Sequence, residues 1–416
     1  MGDAPHQPTE PAGPVAAQAQ APMRRATLSL LLVITLLDLL GIGLLIPVIP
    51  YLVKQFTDNA AVAGVLSATY ALLQFLATPV LGALSDRVGR RPVLIVSLIG
   101  SAIGYAIFGL AGALWMLFVG RAIDGITGGN ISTAYAYAAD VSTPAERGKT
   151  FGMMGAAMGL GFIIGPGIGG WLASYDFHYP AFAAAGAALL SAAWGFFALP
   201  ESLTPERREK GPMQLSLLNP LRTVSGKFVG GAFLPVMLAV VAVSFTQASM
   251  YGVFAFWTHD MLDWGPSEVS YILVMAGIIG VVVQGGLVRV LSKKIGDRAT
   301  LALGLLTLGL ACAVLGFSTQ AWMLYACLAV WSIGGGLAGA SSTAMVSKLA
   351  GVHEQGQAMG VSQALAGLMR IAGPLWGGFA YDHLGAAVQY LVPGTLTLVV
   401  FVMLLPRVAR ASSPRT

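Results

Sequence analysis

Apolar stretches of about 20 residues recur from residue 26 to residue 406, parted by short polar breaks. That rhythm leaves few options for the fold. A helix of such length crosses the hydrocarbon core of a bilayer, and in lipid the helix satisfies every backbone donor and acceptor internally. The composition agrees: 56% of residues are apolar and only 10% charged, against about 25% charged in soluble domains. The sequence predicts an all-α membrane protein with twelve transmembrane helices, at 26–50, 61–84, 92–111, 114–138, 148–173, 178–199, 230–258, 267–291, 299–318, 322–346, 356–380 and 385–406. Residues 1–25, rich in Ala, Pro and Gln, read as a disordered tail without a cleavable signal pattern. Cys312 and Cys327 fall in spans and read as structural thiols.

Charge gives the orientation. Of 23 Lys and Arg, 20 fall at one end of the bundle if the N-terminus is there, Lys54 falls at the other end, and Arg121 and Arg370 fall within spans. Basic residues accumulate in cytoplasmic loops, so both termini are expected in the cytoplasm. The net charge of +5 follows from that bias and does not point to nucleic acid.

The chain also repeats itself at an offset of 208 residues. The run GKTFGMMGAAMGLGFIIGPGIGG from Gly148 matches GQAMGVSQALAGLMRIAGPLWGG from Gly356, with Gly165, Pro166, Gly169 and Gly170 falling on Gly373, Pro374, Gly377 and Gly378. The expected organisation is therefore a tail (1–25), a six-helix half (26–199), a linker (200–229), a second six-helix half (230–406) and a short tail (407–416), the halves being pseudo-symmetric. Duplicated halves with a site between them at mid-membrane are a transporter plan. The small residues Gly161, Gly165, Pro166, Gly169, Gly170, Gly373 and Pro374 are expected to form a pliable, closely packed seam. The run is not a phosphate loop, because it has no Lys-Ser/Thr ending and no preceding strand.

Away from the span ends, four charged residues fall inside spans: Asp38, Arg121, Asp124 and Arg370. Such groups are costly in a membrane and are functional candidates by default. Arg121 and Asp124 are one helical turn apart and are placed to pair. The expected device is a proton switch, in which protonating Asp38 or Asp124 releases Arg121. Arg370 is a candidate for an anionic group of the substrate or for either acid. Tyr70, Gln74, Gln247, Tyr251, Gln284, Trp331 and Gln363 complete the expected cavity lining, with Phe254 on the same face as Tyr251. His259 and Asp260 read as interfacial, and neither a metal nor a cofactor site is expected.

Three motifs carry a resemblance. Gly82-Ala-Leu-Ser-Asp86-Arg87-Val-Gly89-Arg90-Arg91-Pro92 resembles the loop signature of the major facilitator superfamily. Arg121-Ala-Ile-Asp-Gly125 is similar to its second signature, and Gly161-Phe-Ile-Ile-Gly165-Pro166-Gly167-Ile168-Gly169-Gly170 to that of its antiporter branch. Residues 36–50, LLDLLGIGLLIPVIP, resemble the tetracycline/proton exchangers. The resemblance implies the major facilitator fold and a gating clasp made by Gly82, Asp86, Arg87, Gly89, Arg90 and Arg91 that shuts the cytoplasmic side. The second-half counterpart, Leu291 to Asp297, has Lys where Asp86 stands, so its clasp is expected to be weaker or reversed in sign. Those exchangers carry acids in spans three and nine and a histidine in span eight; here these places hold Gly104, Leu308 and Gly280. The expected function is proton-coupled antiport exporting small lipophilic or cationic compounds from the cell by a monomer in the cell membrane, with protons, lipids and a small-molecule substrate as partners. The alternative is symport of a small, possibly anionic, metabolite. No nucleotide motif or catalytic constellation is visible, so an ion gradient must supply the energy and an enzyme is not expected.

Overall fold

The computed structural model describes residues 14–143, 145–210, 227–251, 253–351 and 354–412. The chain there is helical, in sixteen α-helices. The first half contains α1 (Pro14–Leu45), α2 (Ile49–Lys54), α3 (Ala60–Val88), α4 (Arg90–Gly109), α5 (Leu114–Thr127), α6 (Asn130–Asp140), α7 (Arg147–Ala173) and α8 (Tyr179–Ala198). The second contains α9 (Leu234–Tyr251), α10 (Phe254–Leu262), α11 (Pro266–Val282), α12 (Val288–Ile295), α13 (Asp297–Leu315), α14 (Ala321–Leu349), α15 (Gln355–Leu384) and α16 (Ala386–Ser412).

Among the described residues, ten segments are long and apolar enough by themselves to cross a membrane. The remaining two spans fall short for visible reasons. The fourth is split into α5 and α6 at Gly128-Gly129, and α15 carries Gln363 and Arg370 along its middle. Other spans are split at matching places: α1 from α2 before Pro50, α9 from α10 after Tyr251, and α11 from α12 by a π-helical stretch, Val283–Leu287, holding Gly285 and Gly286. Such breaks are tolerated in lipid only where neighbouring groups re-satisfy the backbone.

The first helix begins at Pro14, so residues 14–25 extend it where the sequence suggested a tail. Good helix formers such as Ala, Gln and Met explain the extension. Residues 1–13 and the linker part 211–226 lie outside the described residues.

Glycine contacts show how the repeat is realised. In α7, a Cβ on Gly165 would lie 2.7 Å from the Gly43 Cα, and one on Gly169 would lie 2.3 Å from the Leu44 carbonyl oxygen of α1. In α15, a Cβ on Gly373 would lie 2.6 Å from the Ala248 Cβ, and one on Gly377 would lie 2.7 Å from the Ser249 carbonyl oxygen of α9. Each half thus buries its signature helix against its own first helix. The next glycine in each run crosses to the other half: Gly170 meets Pro266 and Ser270 of α11, and Gly378 meets Ala60 and Ala61 of α3.

These cross-half seams cover only part of the membrane depth. Along α7 they run from Gly170 through Ile163 against Gly277 to Gly159, whose Cβ would lie 3.6 Å from Val281. Further toward the basic end, Cβ atoms on Gly155, Gly152 and Gly148 would meet nothing within 4 Å. Along α15 the contacts run from Gly378 to Gly367 against Phe75, and Gly356 has none. The halves are therefore closed at the face opposite the basic loops and part toward the basic face.

Polar contacts reinforce the closed face. Asp382 of α15 accepts from the backbone N–H of Ala60 (3.1 Å) and Ala61 (2.7 Å), taking up two free donors at the start of α3. Asp260 of α10 pairs with Lys54 of α2 and accepts from the Tyr381 hydroxyl at 2.5 Å. Tyr51 donates to the Trp264 carbonyl at 2.8 Å and stacks on Phe177. His259 meets the Tyr51 ring edge-on at 5.8 Å, so His259 and Asp260, read as interfacial, belong to a latch between the halves.

Candidate functional site

Between the halves lies a cavity of about 490 Å³, within the range of small-molecule sites. Tyr70 and Gln74 of α3 and Arg121 of α5 line it from the first half; Gln247 and Tyr251 of α9 and Arg370 of α15 line it from the second. Pro166 and Pro374, equivalent in the repeat, both reach its wall. Ile46, Ile49, Phe162 and Leu273 supply apolar surface, and no Asp or Glu lies among the described lining residues.

The buried charges are arranged in layers. Arg121 lies against the cavity with its guanidinium carbon 4.2 Å from the Tyr70 ring centroid, a cation–π contact. Behind it, Asp124 accepts from Arg121 Nη1 at 3.2 Å, as the one-turn spacing predicts, with Ser101 and Tyr105 of α4 beside it. Gly104 makes the second layer possible: a Cβ there would lie 3.1 Å from the Asp124 Cβ. The acid that the resemblance implies in span three is replaced by a glycine that gives Asp124 its room.

Asp38 stands apart from the main cavity. It is buried in the first half, in a crevice it shares with Asn130, Thr35, Leu94 and Leu98. The break at Gly128-Gly129 produces this arrangement. It starts α6 at Asn130, turning that amide onto Asp38, and exposes the Gly128 carbonyl, which accepts from Gln74 Nε2 at 2.9 Å. Gln74 also bonds the Tyr70 hydroxyl at 2.8 Å. The sequence reading missed Asn130; its one signal was a lone amide at a glycine break within a span.

Three expected lining residues lie off the cavity. Trp331 is buried and meets Tyr251 edge-on at 6.1 Å, one layer behind the wall. Gln284 is exposed on the π-helical stretch, and Gln363 is exposed on α15 nearer the basic face. Phe254 is buried against Trp257, because the chain breaks after Tyr251 and α10 starts on a new phase. Helical spacing gives a residue's face only while the helix continues.

At the basic face, Asp86 and Arg90 pair at 2.6 Å, and Arg90 also reaches Asp140 at 3.3 Å. Glu201 accepts from the backbone N–H of Arg90 at 2.9 Å and of Arg91 at 3.3 Å. Gly89 sits at φ +119°, in the region that favours glycine, and lets α3 turn directly into α4. Arg87 pairs with Glu209 at 3.6 Å. A Cβ on Gly82 would meet nothing within 4 Å. Every described ion pair of this loop stays within the first half or its trailing linker.

Comparison with known proteins places this architecture. The family model described as Major Facilitator Superfamily matches residues 31–290 and 287–416. The chain belongs to the major facilitator superfamily. It is 36% identical over 374 residues to the class C tetracycline resistance protein of Escherichia coli, covering 86% of this chain and 92% of that protein. It is 30% identical to multidrug resistance protein 2 of Bacillus subtilis (strain 168), covering 86% and 90%. Among solved structures it resembles the human organic anion transporter MFSD10 (TETRAN), with TM-score 0.69, 25% identity and coverage of 92% and 99%. As a superfamily member with these spans, the chain is an integral membrane transporter with the twelve-helix fold.

Proposed function

We propose that this transporter is a proton-coupled antiporter that exports small lipophilic compounds across the cell membrane, with both termini in the cytoplasm. The named relatives confer resistance to tetracycline or to several drugs, and the basic face fits a cytoplasmic side by its charge. The observation that carries the reading is the layered charge behind the cavity wall. Asp124 holds Arg121, Arg121 lies on Tyr70, and Tyr70 and Gln74 line the cavity. A proton on Asp124, or on Asp38 nearby, weakens the hold on Arg121. The aromatic and amide groups resting on it then shift. Proton and substrate thus bias the same two-state element without sharing an atom, which is sufficient for exchange.

Purified protein in liposomes with an imposed pH gradient tests the reading. Antiport requires that inward proton flow drive a lipophilic substrate outward against its gradient, and Asp38→Asn is expected to abolish the drive. Substrate moving in the same direction as protons would establish symport and overturn the proposal. Drive surviving unchanged in Asp38→Asn would remove Asp38 from the switch.

A further inference from the structure

The polar groups around the cavity are unbalanced. Arg121 is offset by Asp124, yet its Nε has no partner among the described residues. Arg370, at the cavity wall, has no hydrogen bond or ion pair among the described residues, and no carboxylate joins it in the lining. Both are donors. A guanidinium keeps its charge under any cellular condition, and Arg370 is exposed at the cavity wall, where it meets whatever enters. The missing counterpart is an acceptor carrying negative charge. Around these donors the wall is apolar and aromatic, formed by Ile49, Phe162, Tyr251 and Leu273.

The geometry points to amphipathic organic anions as the substrates of this cavity: molecules of drug size with an apolar, preferably aromatic body and one carboxylate or sulfonate seated on Arg370. The inference rests on the export reading and names the substrate class for it. The planar guanidinium fork matches a carboxylate or sulfonate through two parallel hydrogen bonds, which a lone ammonium cannot reproduce. The Gln247 amide lines the same space and can donate to a remaining oxygen. Cations meet no acid on this wall. The proton-binding carboxylates sit behind it, so an anion and a proton are exchanged without contesting one site.

The test uses three probes of one shape on the purified full-length protein, read by titration calorimetry: 1-naphthalenesulfonate, the neutral 1-naphthalenesulfonamide and the cationic 1-naphthylmethylammonium. The sulfonate is expected to bind about tenfold or more tighter than the neutral probe, the gain of one charge-assisted contact. Arg370→Gln should bring the sulfonate down to the level of the neutral probe while its thermal unfolding matches that of the original chain, which shows that the variant is folded. Arg370→Lys should keep part of the preference. Equal or tighter binding of the cation, an unchanged preference in Arg370→Gln, or no sulfonate binding at millimolar concentration would overturn the inference. The titration needs no gradient. A chain that prefers the sulfonate but does not exchange it for protons would sink the antiport reading alone.

Discussion

The two halves share a backbone plan and divide the chemistry. Both press a glycine-rich helix on their own first helix, with Gly169 on Leu44 and Gly377 on Ser249. Both then reach across with the next glycine. Their polar residues differ. The first half holds Asp38, Asp124 and Arg121 at mid-span with Asn130, Ser101 and Tyr105 beside the acids. The second carries its acids only in the terminal turns of its helices or beside them, and contributes Arg370 to the cavity. Helix packing is steric and can be duplicated; a charge is needed once, so the copies diverged there. On the proposed reading, the first half senses protons and the second chooses the substrate.

The largest expected effect comes from removing one arginine from each side. Arg121→Gln leaves Asp124 buried without its cation, which costs about 3–5 kcal/mol when one partner of a buried pair is lost. Proton-driven transport of every substrate should fall about a hundredfold, in line with losing a positioned proton-transfer group. Arg370→Gln should leave proton-driven export of neutral compounds running and change only which compounds are carried. Liposome transport and thermal unfolding, measured on both, decide the matter. Equal losses on every substrate would erase the division of labour.

Next in size are the glycine seams, which separate packing within a half from packing between halves. Gly169→Val forces a side chain into the Leu44 backbone, and overpacking of this kind costs about 1–3 kcal/mol. It should lower the unfolding temperature. Gly64→Ala places a Cβ 2.3 Å from the Pro374 carbonyl oxygen across the halves. That clash exists only while the face opposite the basic loops is closed. The substitution should therefore favour opening there, read as a longer spin-label distance between α2 and α10, with little loss of stability. A lowered unfolding temperature with unchanged distances would mean that the halves do not part at this seam.

The contrast also explains what could be read in advance. Spans, repeat, seams and the Arg121–Asp124 pair follow from local rules of length, identity and one-turn spacing. The cavity membership of Trp331, Gln284 and Gln363 did not, because a helix break or a layer of packing intervenes between spacing and facing. The latch of Lys54, Asp260 and Tyr381, and Asp382 on the start of α3, join residues more than a hundred positions apart. No periodicity announces such partners. Asn130 needed both failures undone, since its role depends on a break and on a remote acid.

The smallest expected effect concerns the basic face, where the repeat is inverted in sign. Gly89 and Gly296 occupy the same turn at φ +119° and +83°. The residues that follow are Arg90 and Asp297, and their partners at the ends of the fourth and tenth spans are Asp140 and Lys348. The second pair is thus the first with its charges exchanged, the reversal expected from lysines standing where the first loop has its acid. Lys348 is largely exposed, so the pair should be worth about 0.2–1 kcal/mol. Lys348→Asp alone sets two acids together and should cost about that much in thermal unfolding, whereas Lys348→Asp with Asp297→Arg rebuilds the first-half pattern and should recover it. If the pair acts only locally, the double variant transports as the original does. If the opposed signs of the two loops help close this face, matching them should slow transport while stability stays restored.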